Sequence, residues 1–353
     1  MRAVLVCLGK ELEKLNETVA LAQTLDYQAV EKFVQKKGKH AKYLIGSGKL
    51  EELKNFVTQN EIELVIFENL LSSTQILALE DFIKVPVIDR FDLILNVFET
   101  RARTKEAKLQ IELARLRRKL PYIKTFLGRK VKEEHPGFGG SGEFIIRNTI
   151  TGLKKRIRRI EKELASFEAR VLEQTEKRKE LGKIVSLAGY TNVGKTTLLN
   201  ALAHTNMPVK DELFTTLSTK CSVLKWAGSQ KIFINDTLGF LNDLPHELIY
   251  AFRATLSSIK NSDLILLVLD ASESLEELVK KKETCEQILK GISASYIPIV
   301  YVLNKTDRIP SYELKVRSDT IASTNKVEIS ALYNKGIEEL KAKIFYTLKS
   351  ISY

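Results

Sequence analysis

The chain has 353 residues, a length that suggests two or three domains. Apolar residues make up 44% and charged residues 28%, a balance that allows a sizeable core and excludes a disordered or fibrous chain. The formal net charge is +12, and residues 101–160 carry all of that excess, with 18 Lys and Arg against 5 Asp and Glu, a surplus of +13.

Such a concentration of positive charge is the footprint of a nucleic-acid contact. Its candidate residues are Arg101, Arg103, Lys105, Arg117, Arg118, Arg129, Lys130, Arg158 and Arg159. The plainer alternative is a solvated basic helix face. Cys7, Cys221 and Cys285 show neither paired nor metal-ligand spacing and read as reduced thiols, and the four histidines are scattered. No apolar run approaches the roughly 20 residues needed to span a bilayer. The start, Met1 to Lys10, lacks the pattern of a signal peptide. A cytoplasmic monomer without a membrane anchor is expected.

Residues 1–90 alternate short apolar runs with helical patterns, which predicts a small parallel α/β subdomain. Ala3 to Leu8, Tyr43 to Ile45, Leu64 to Phe67 and Val85 to Ile88 are the predicted strands. Leu12, Leu15, Val19 and Ala22 recur at helical spacing, and Gly48 to Val57 and Ser73 to Phe82 are further predicted helices.

Residues 91–180 read differently. Leu109, Leu113, Leu116 and Leu120 mark one helix, which Pro121 is expected to stop. Leu153, Ile157, Ile160, Leu164, Phe167 and Val171 form a heptad seam that falters at Gln174 and Arg178. Two such helices around a glycine-rich loop at 128–142 predict a basic antiparallel helical hairpin with a flexible tip.

Residues 181–353 repeat the α/β pattern. Predicted strands are Ile184 to Ala188, Lys220 to Trp226, Lys231 to Asn235, Leu264 to Asp270, Ile299 to Leu303 and Val327 to Ile329. Helices are expected at Lys195 to Ala203, Leu244 to Ile259, Leu275 to Leu289, Tyr312 to Thr320 and Ile337 to Leu348. The second and third strands flank the short connection Ala227 to Gln230, so one antiparallel strand is expected on an otherwise parallel six-stranded sheet.

The chemistry is concentrated in this last region. Gly189-Tyr190-Thr191-Asn192-Val193-Gly194-Lys195-Thr196 fits the phosphate-loop pattern and lies between a predicted strand and a predicted helix. Backbone N–H groups and the helix N-terminus would cradle phosphates, with Thr197 alongside. Lys195 would reach the β- and γ-phosphates, and the Thr196 hydroxyl would bind Mg2+. Asp236-Thr237-Leu238-Gly239 ends another strand. Asp236 would hold the ion through water, and the Gly239 N–H would sense the γ-phosphate.

Asn304-Lys305-Thr306-Asp307 supplies a carboxylate that can accept from guanine N1 and N2, a donor pair adenine lacks. Asn304 would brace the loop, the Lys305 stem would lie over the base, and the backbone of Ser330-Ala331-Leu332 would meet guanine O6. Within Phe214-Thr215-Thr216-Leu217, Thr216 is the leading candidate for a third magnesium ligand, with Thr215 and Thr219 as alternatives. Four motifs in this order imply a P-loop GTP hydrolase.

Phe240 stands where many such enzymes place a water-orienting Gln, so slow intrinsic hydrolysis is expected. Asn192 either helps bind K+ or merely tolerates the loop's backbone, and the residues leave both readings open. Gly46-Ser47-Gly48-Lys49 lacks phosphate-loop spacing and reads as a tight turn into a helix.

With these residues in view, the chain resembles the HflX family of translation-associated GTPases. Tyr43 to Leu53 is similar to the family's G-x-G-K-x-E-E-L segment. Val87 to Leu116, including Arg101-Ala102-Arg103-Thr104 and Glu106 to Gln110, resembles its most characteristic block. Gly137 to Glu143, Phe240 and Arg253 to Leu256 also fit.

The resemblance implies an N-terminal HflX domain, a helical hairpin, a GTPase domain and association with the large (50S) ribosomal subunit and its RNA. It further implies a role in splitting or rescuing ribosomes. The chain departs from the family at Phe144 to Arg147, and it ends about a helix after Ser330, as in an archaeal-like short form. Two other functions compete: an ATP-driven RNA remodeller using the N-terminal domain, and a signalling GTPase with a protein effector.

Overall fold

The computed structural model describes residues 1–9, 12–36, 38–133, 141–203, 220–224, 231–237, 239–240, 253–322 and 324–351. They fall into two compact units, Met1–Leu164 and Ala165–Tyr353. No helix among the described residues is long and apolar enough to cross a membrane.

The first unit is built on a four-stranded sheet. Its strands are β1 (Arg2–Leu8), β2 (Gln28–Gln35), β3 (Leu64–Phe67) and β4 (Val87–Asp89), in the order β2-β1-β3-β4. All three pairings are parallel. Helices α1 (Leu12–Thr24), α2 (Ser47–Gln59), α3 (Ser73–Ile83) and α4 (Arg90–Arg101) connect or follow the strands. In β1 and β3 nearly every side chain is buried, as expected of strands covered on both faces.

The structure of this unit departs from the sequence pattern in several places. Tyr43 to Ile45 is not a strand. His40 and Leu44 close a turn through reciprocal backbone hydrogen bonds of 2.9 Å, and α2 starts at once after it. The second strand is instead Gln28–Gln35, whose Glu31 and Lys32 are exposed. It pairs on one side only, so it never develops the apolar run that identifies a central strand. Helix α4 was not anticipated either. Asp89 caps it by accepting from the Asp92 N–H.

A buried charged group ties this unit together. The Arg90 guanidinium donates to Glu68 at 2.8 Å, to the Thr18 hydroxyl at 3.3 Å and to Glu17. Glu68 and Arg90 are both nearly inaccessible to solvent. Removing one partner strands the others without compensation. Arg90→Ala is therefore expected to destabilise the protein by about 2 to 3 kcal/mol, read as a shift in denaturant midpoint.

The long helices α5 (Lys105–Glu133) and α6 (Ser141–Leu181) follow. Helix α5 runs through Pro121 instead of stopping there. Proline deletes one backbone hydrogen bond, and Pro121 itself lies exposed on the helix. Beyond it the helix keeps an apolar pair, Tyr122 stacked on Phe126 at 6.3 Å. The start of α5 packs against α3 and α4, burying Leu109, Ile111, Leu113 and Ala114. Ion pairs bridge the two helices: Arg156 with Glu112 at 2.7 Å, Arg117 with Glu161 at 2.7 Å and Lys105 with Glu163 at 3.2 Å. The heptad positions of α6 are its more buried ones, with Ile160 fully so. Past Val171 the buried position is Thr175, while Gln174 is exposed. Much of the glycine-rich loop, residues 134–140, lies outside the described residues.

The second unit carries a six-stranded sheet of β5 (Gly182–Ala188), β6 (Lys220–Leu224), β7 (Lys231–Asp236), β8 (Leu264–Asp270), β9 (Ile299–Asn304) and β10 (Lys326–Glu328). The order is β10-β9-β8-β5-β7-β6, and only the β6–β7 pair is antiparallel, as expected. Helices α7 (Lys195–Ala203), α8 (Arg253–Lys260), α9 (Leu275–Gly291), α10 (Ser311–Ile321) and α11 (Ile337–Ile351) complete it. The first part of the helix expected at Leu244 to Ile259 lies outside the described residues. In β8 all seven side chains are buried, so this strand anchors the core. Its neighbours β5 and β9 end at the same edge of the sheet, where the motif loops emerge.

Candidate functional site

The phosphate loop leaves β5 and enters α7 without regular structure of its own. Lys195 and Thr196 begin α7 and are almost fully buried. The Lys195 ammonium donates to the carbonyls of Gly189 at 3.0 Å and Tyr190 at 2.6 Å, which folds the loop around it. Burial pushes this ammonium down to about 8, and Asp236 counters by favouring the charged form. An anion in the loop would relieve that cost, which is what a triphosphate supplies.

Gly194 shows why this position holds glycine. Its φ of +91° is in the left-handed region, and a Cβ there would meet the Asn304 amide nitrogen at 2.4 Å. Asn304 in turn donates to the Val193 carbonyl at 2.8 Å and accepts from the Ala331 N–H at 3.0 Å. One buried side chain thus ties together the phosphate loop, the N-K-x-D loop and the Ser330 loop. Gly194→Ala is expected to weaken GDP binding by at least about tenfold, measured by calorimetry, because strain and overlap act on the same junction.

Asp236 ends β7 fully buried, and the Thr196 hydroxyl donates to its Oδ2 at 2.8 Å. A hydroxyl and a carboxylate oxygen side by side at a helix start form the hard-oxygen set that suits Mg2+, so the residues present fit the ion. Phe214, Thr215, Thr216 and Thr219, the switch candidates, lie outside the described residues.

The Gly239 segment is joined to the phosphate loop by backbone. The Thr191 N–H donates to the Phe240 carbonyl at 2.9 Å, and the Phe240 N–H to Gly189 at 3.0 Å. A Cβ on Gly239 would approach Thr191 Cα at 2.9 Å, so the two chains pass too close for any side chain. The Phe240 ring is buried in the main core, and it has neither the chemistry nor the position to orient water. Asn192 sits at φ 62°, a conformation that asparagine tolerates, and its side chain is exposed.

On the base side, Lys305 also has positive φ, at 65°. Its ammonium donates to Asp270 Oδ2 at 2.6 Å. Asp307 lies in a single 3-10 turn, Thr306–Arg308, with its carboxylate accessible and accepting from the Ser330 hydroxyl. Ser330 and Ala331 are buried, while Leu332 is exposed. Asp270 belongs to none of the nucleotide motifs legible in the sequence. The available signal was an acid closing an otherwise wholly apolar strand.

The basic candidates divide by environment. Arg118 is committed within its own unit, paired with Asp89 and Asp92 and lying 4.7 Å from the Phe91 ring centroid. Arg117 pairs with Glu161, Lys105 with Glu163, and Arg101 is half-buried. Arg103, Arg158 and Arg159 are exposed, although Arg159 reaches Glu163 at 3.4 Å. The side chains of Arg129 and Lys130 lie outside the described residues.

Fold and site together define a P-loop GTPase. The chain matches three family models, described as the GTP-binding GTPase N-terminal region over residues 12–99, its middle region over 101–178, and a 50S ribosome-binding GTPase over 184–305. It is 38% identical to GTPase HflX of Thermococcus kodakarensis across 88% of this chain and 70% of that protein. It is 36% identical to GTPase HflX of Methanocaldococcus jannaschii across 95% and 82%, respectively. A GTP-binding protein from Sulfolobus solfataricus in complex with GDP shares the fold at a TM-score of 0.51 and 28% identity, covering 99% of this chain and 100% of that one. The chain belongs to the HflX family of GTPases and is a hydrolase of GTP.

Proposed function

We propose that this chain works in the cytoplasm as a Mg2+-dependent GTP switch that binds the large ribosomal subunit through its basic helices and splits or rescues stalled ribosomes. Thr196 and Asp236, with Thr216, would hold the ion, which when bound supplies positive charge to the β- and γ-phosphates. Lys195 and the N-terminus of α7 bind the phosphates, and Asp307, Asn304 and Lys305 select the guanine base. The Phe240 ring cannot position water, so the attacking water needs a group from elsewhere, which suits an enzyme that hydrolyses GTP only on its partner. Potassium bound near Asn192 is a further part of this reading, and higher turnover in KCl than in NaCl is its signature.

The observation that carries the ribosomal part is a row of exposed cations on α6: Lys154, Lys155, Arg156, Arg158, Arg159 and Lys162. Among the described residues, only Arg156 and Arg159 of that stretch are tied to acids, at distances of 2.7 Å and 3.4 Å. The others are open to phosphates, and binding through them would weaken steeply as salt rises. The test is co-sedimentation with purified 30S, 50S and 70S particles, in GDP and in a non-hydrolysable GTP analogue. Migration with 50S in the analogue, lost at high salt and on replacing Arg158 and Arg159, is expected. Failure to migrate with any particle would remove the ribosomal assignment and leave the GTPase intact.

A further inference from the structure

The carboxylate that ends β8 lies beside the base-binding loop without belonging to any nucleotide motif. Asp270 is paired across the parallel ladder with Asn304, and the Ala271 N–H donates to the Asn304 carbonyl at 2.8 Å. Its two oxygens have separate tasks. Oδ1 accepts from the Ser272 N–H at 3.0 Å and the Ser272 hydroxyl at 2.6 Å, closing the turn that follows the strand. Oδ2 accepts from the Lys305 ammonium at 2.6 Å. Both partners are largely buried, with side-chain exposures of 10% for Asp270 and 18% for Lys305, so solvent screens this pair less than a surface one.

We infer that Asp270 is a positioning residue for guanine-nucleotide binding, acting through Lys305. Left alone, a lysine side chain has four rotatable bonds and no reason to extend along one path. The residue's positive φ fixes where the stem departs, and Asp270 fixes where it ends. The stem is tethered at both ends before any nucleotide arrives, so binding has less of it left to order. The inference rests on the reading that Asn304 to Asp307 form the base pocket.

The two tasks of the carboxylate make the inference testable. Asparagine at position 270 keeps one acceptor for the Ser272 turn and places an amide donor against the Lys305 ammonium. The turn survives and the tether is lost. The experiment is titration of the full chain with a fluorescent GDP analogue for the wild type, Asp270→Asn, Lys305→Ala, the double variant and Asp307→Ala. Asp270→Asn is expected to raise the dissociation constant by about tenfold. On the Lys305→Ala background it is expected to change nothing further, because the group it acts through is gone. Wild-type affinity in Asp270→Asn, or effects that multiply in the double variant, would overturn the inference. Wild-type affinity together with a lowered melting temperature of nucleotide-free Asp270→Asn would make the residue a turn former alone. Asp307→Ala separates the two levels. If it binds GDP as the wild type does, the base pocket itself is misplaced. If it binds weakly while Asp270→Asn does not, only the role of Asp270 falls.

Discussion

Lys195→Ala is expected to reduce GTP hydrolysis by on the order of a thousandfold, to the background of the assay, in single-turnover phosphate release. The loop folds around this ammonium, which donates to two of its carbonyls at 3.0 and 2.6 Å. Charge that develops on the transferring phosphoryl group would be stabilised by groups already in place, and replacing the ammonium by a methyl removes the lysine's share of that charge. The ground state should lose less, because the loop N–H groups and the α7 N-terminus would still bind the α- and β-phosphates. Affinity for GDP should therefore fall by a much smaller factor than the rate. Lys195→Arg would not restore the rate, since a guanidinium is too large for a buried niche shaped to one ammonium. Undiminished turnover in Lys195→Ala would place the phosphate chemistry in another part of the chain, as an ATP-driven N-terminal domain would require.

The GTPase unit was readable because its signals are local and strong. Leu264 to Asp270 is an unbroken apolar run closed by an acid, and it forms β8 with the same limits. The short stretch Ala227 to Gln230 foretold the single antiparallel pair, since so short a link suits strands running in opposite directions. The first unit was harder for a physical reason. An edge strand such as Gln28–Gln35 meets only one neighbour and keeps its charged side chains in water, so its pattern looks like that of a loop. Tyr43 to Ile45 looks like a strand because all three residues are apolar, yet they fill the core from a turn. Pro121 misled in the same way. Its local cost is real, but a long exposed helix with apolar contacts on both sides of it absorbs that cost.

For the site, the motifs located the groups but not their links. That Asn304 spans three loops, or that Asp270 takes the Lys305 ammonium, depends on which strand ends lie side by side, and this follows from the order β9-β8-β5. The basic candidates show the reverse limit. Charge counts cannot separate Arg118, which is paired with two aspartates inside its own unit, from Arg158, which is exposed. Internal pairing reduces what the segment offers to a polyanion from its formal +13 to the cations left in solvent.

Asp307→Ala is expected to weaken GDP binding by on the order of a thousandfold while leaving ADP binding where it was, so that preference between the two purines collapses. The carboxylate is accessible in a single 3-10 turn and is held by the Ser330 hydroxyl, which fixes one oxygen and orients the other. Guanine presents two adjacent donors, N1–H and the C2 amine, and a fixed carboxylate accepts both. Each charge-assisted bond contributes about 1.5 to 3 kcal/mol, so losing two accounts for the factor. Adenine has no donor at either position and loses nothing. The same chemistry predicts a gain. Xanthine carries a carbonyl at C2 in place of the amine, and Asp307→Asn offers an amide donor to it. Xanthosine diphosphate should therefore bind Asp307→Asn more tightly than GDP does, in the reverse of the wild-type order. Calorimetric titration of the three nucleotides into wild type and both variants measures this. A variant that still preferred GDP by the wild-type margin would show that another group reads the base.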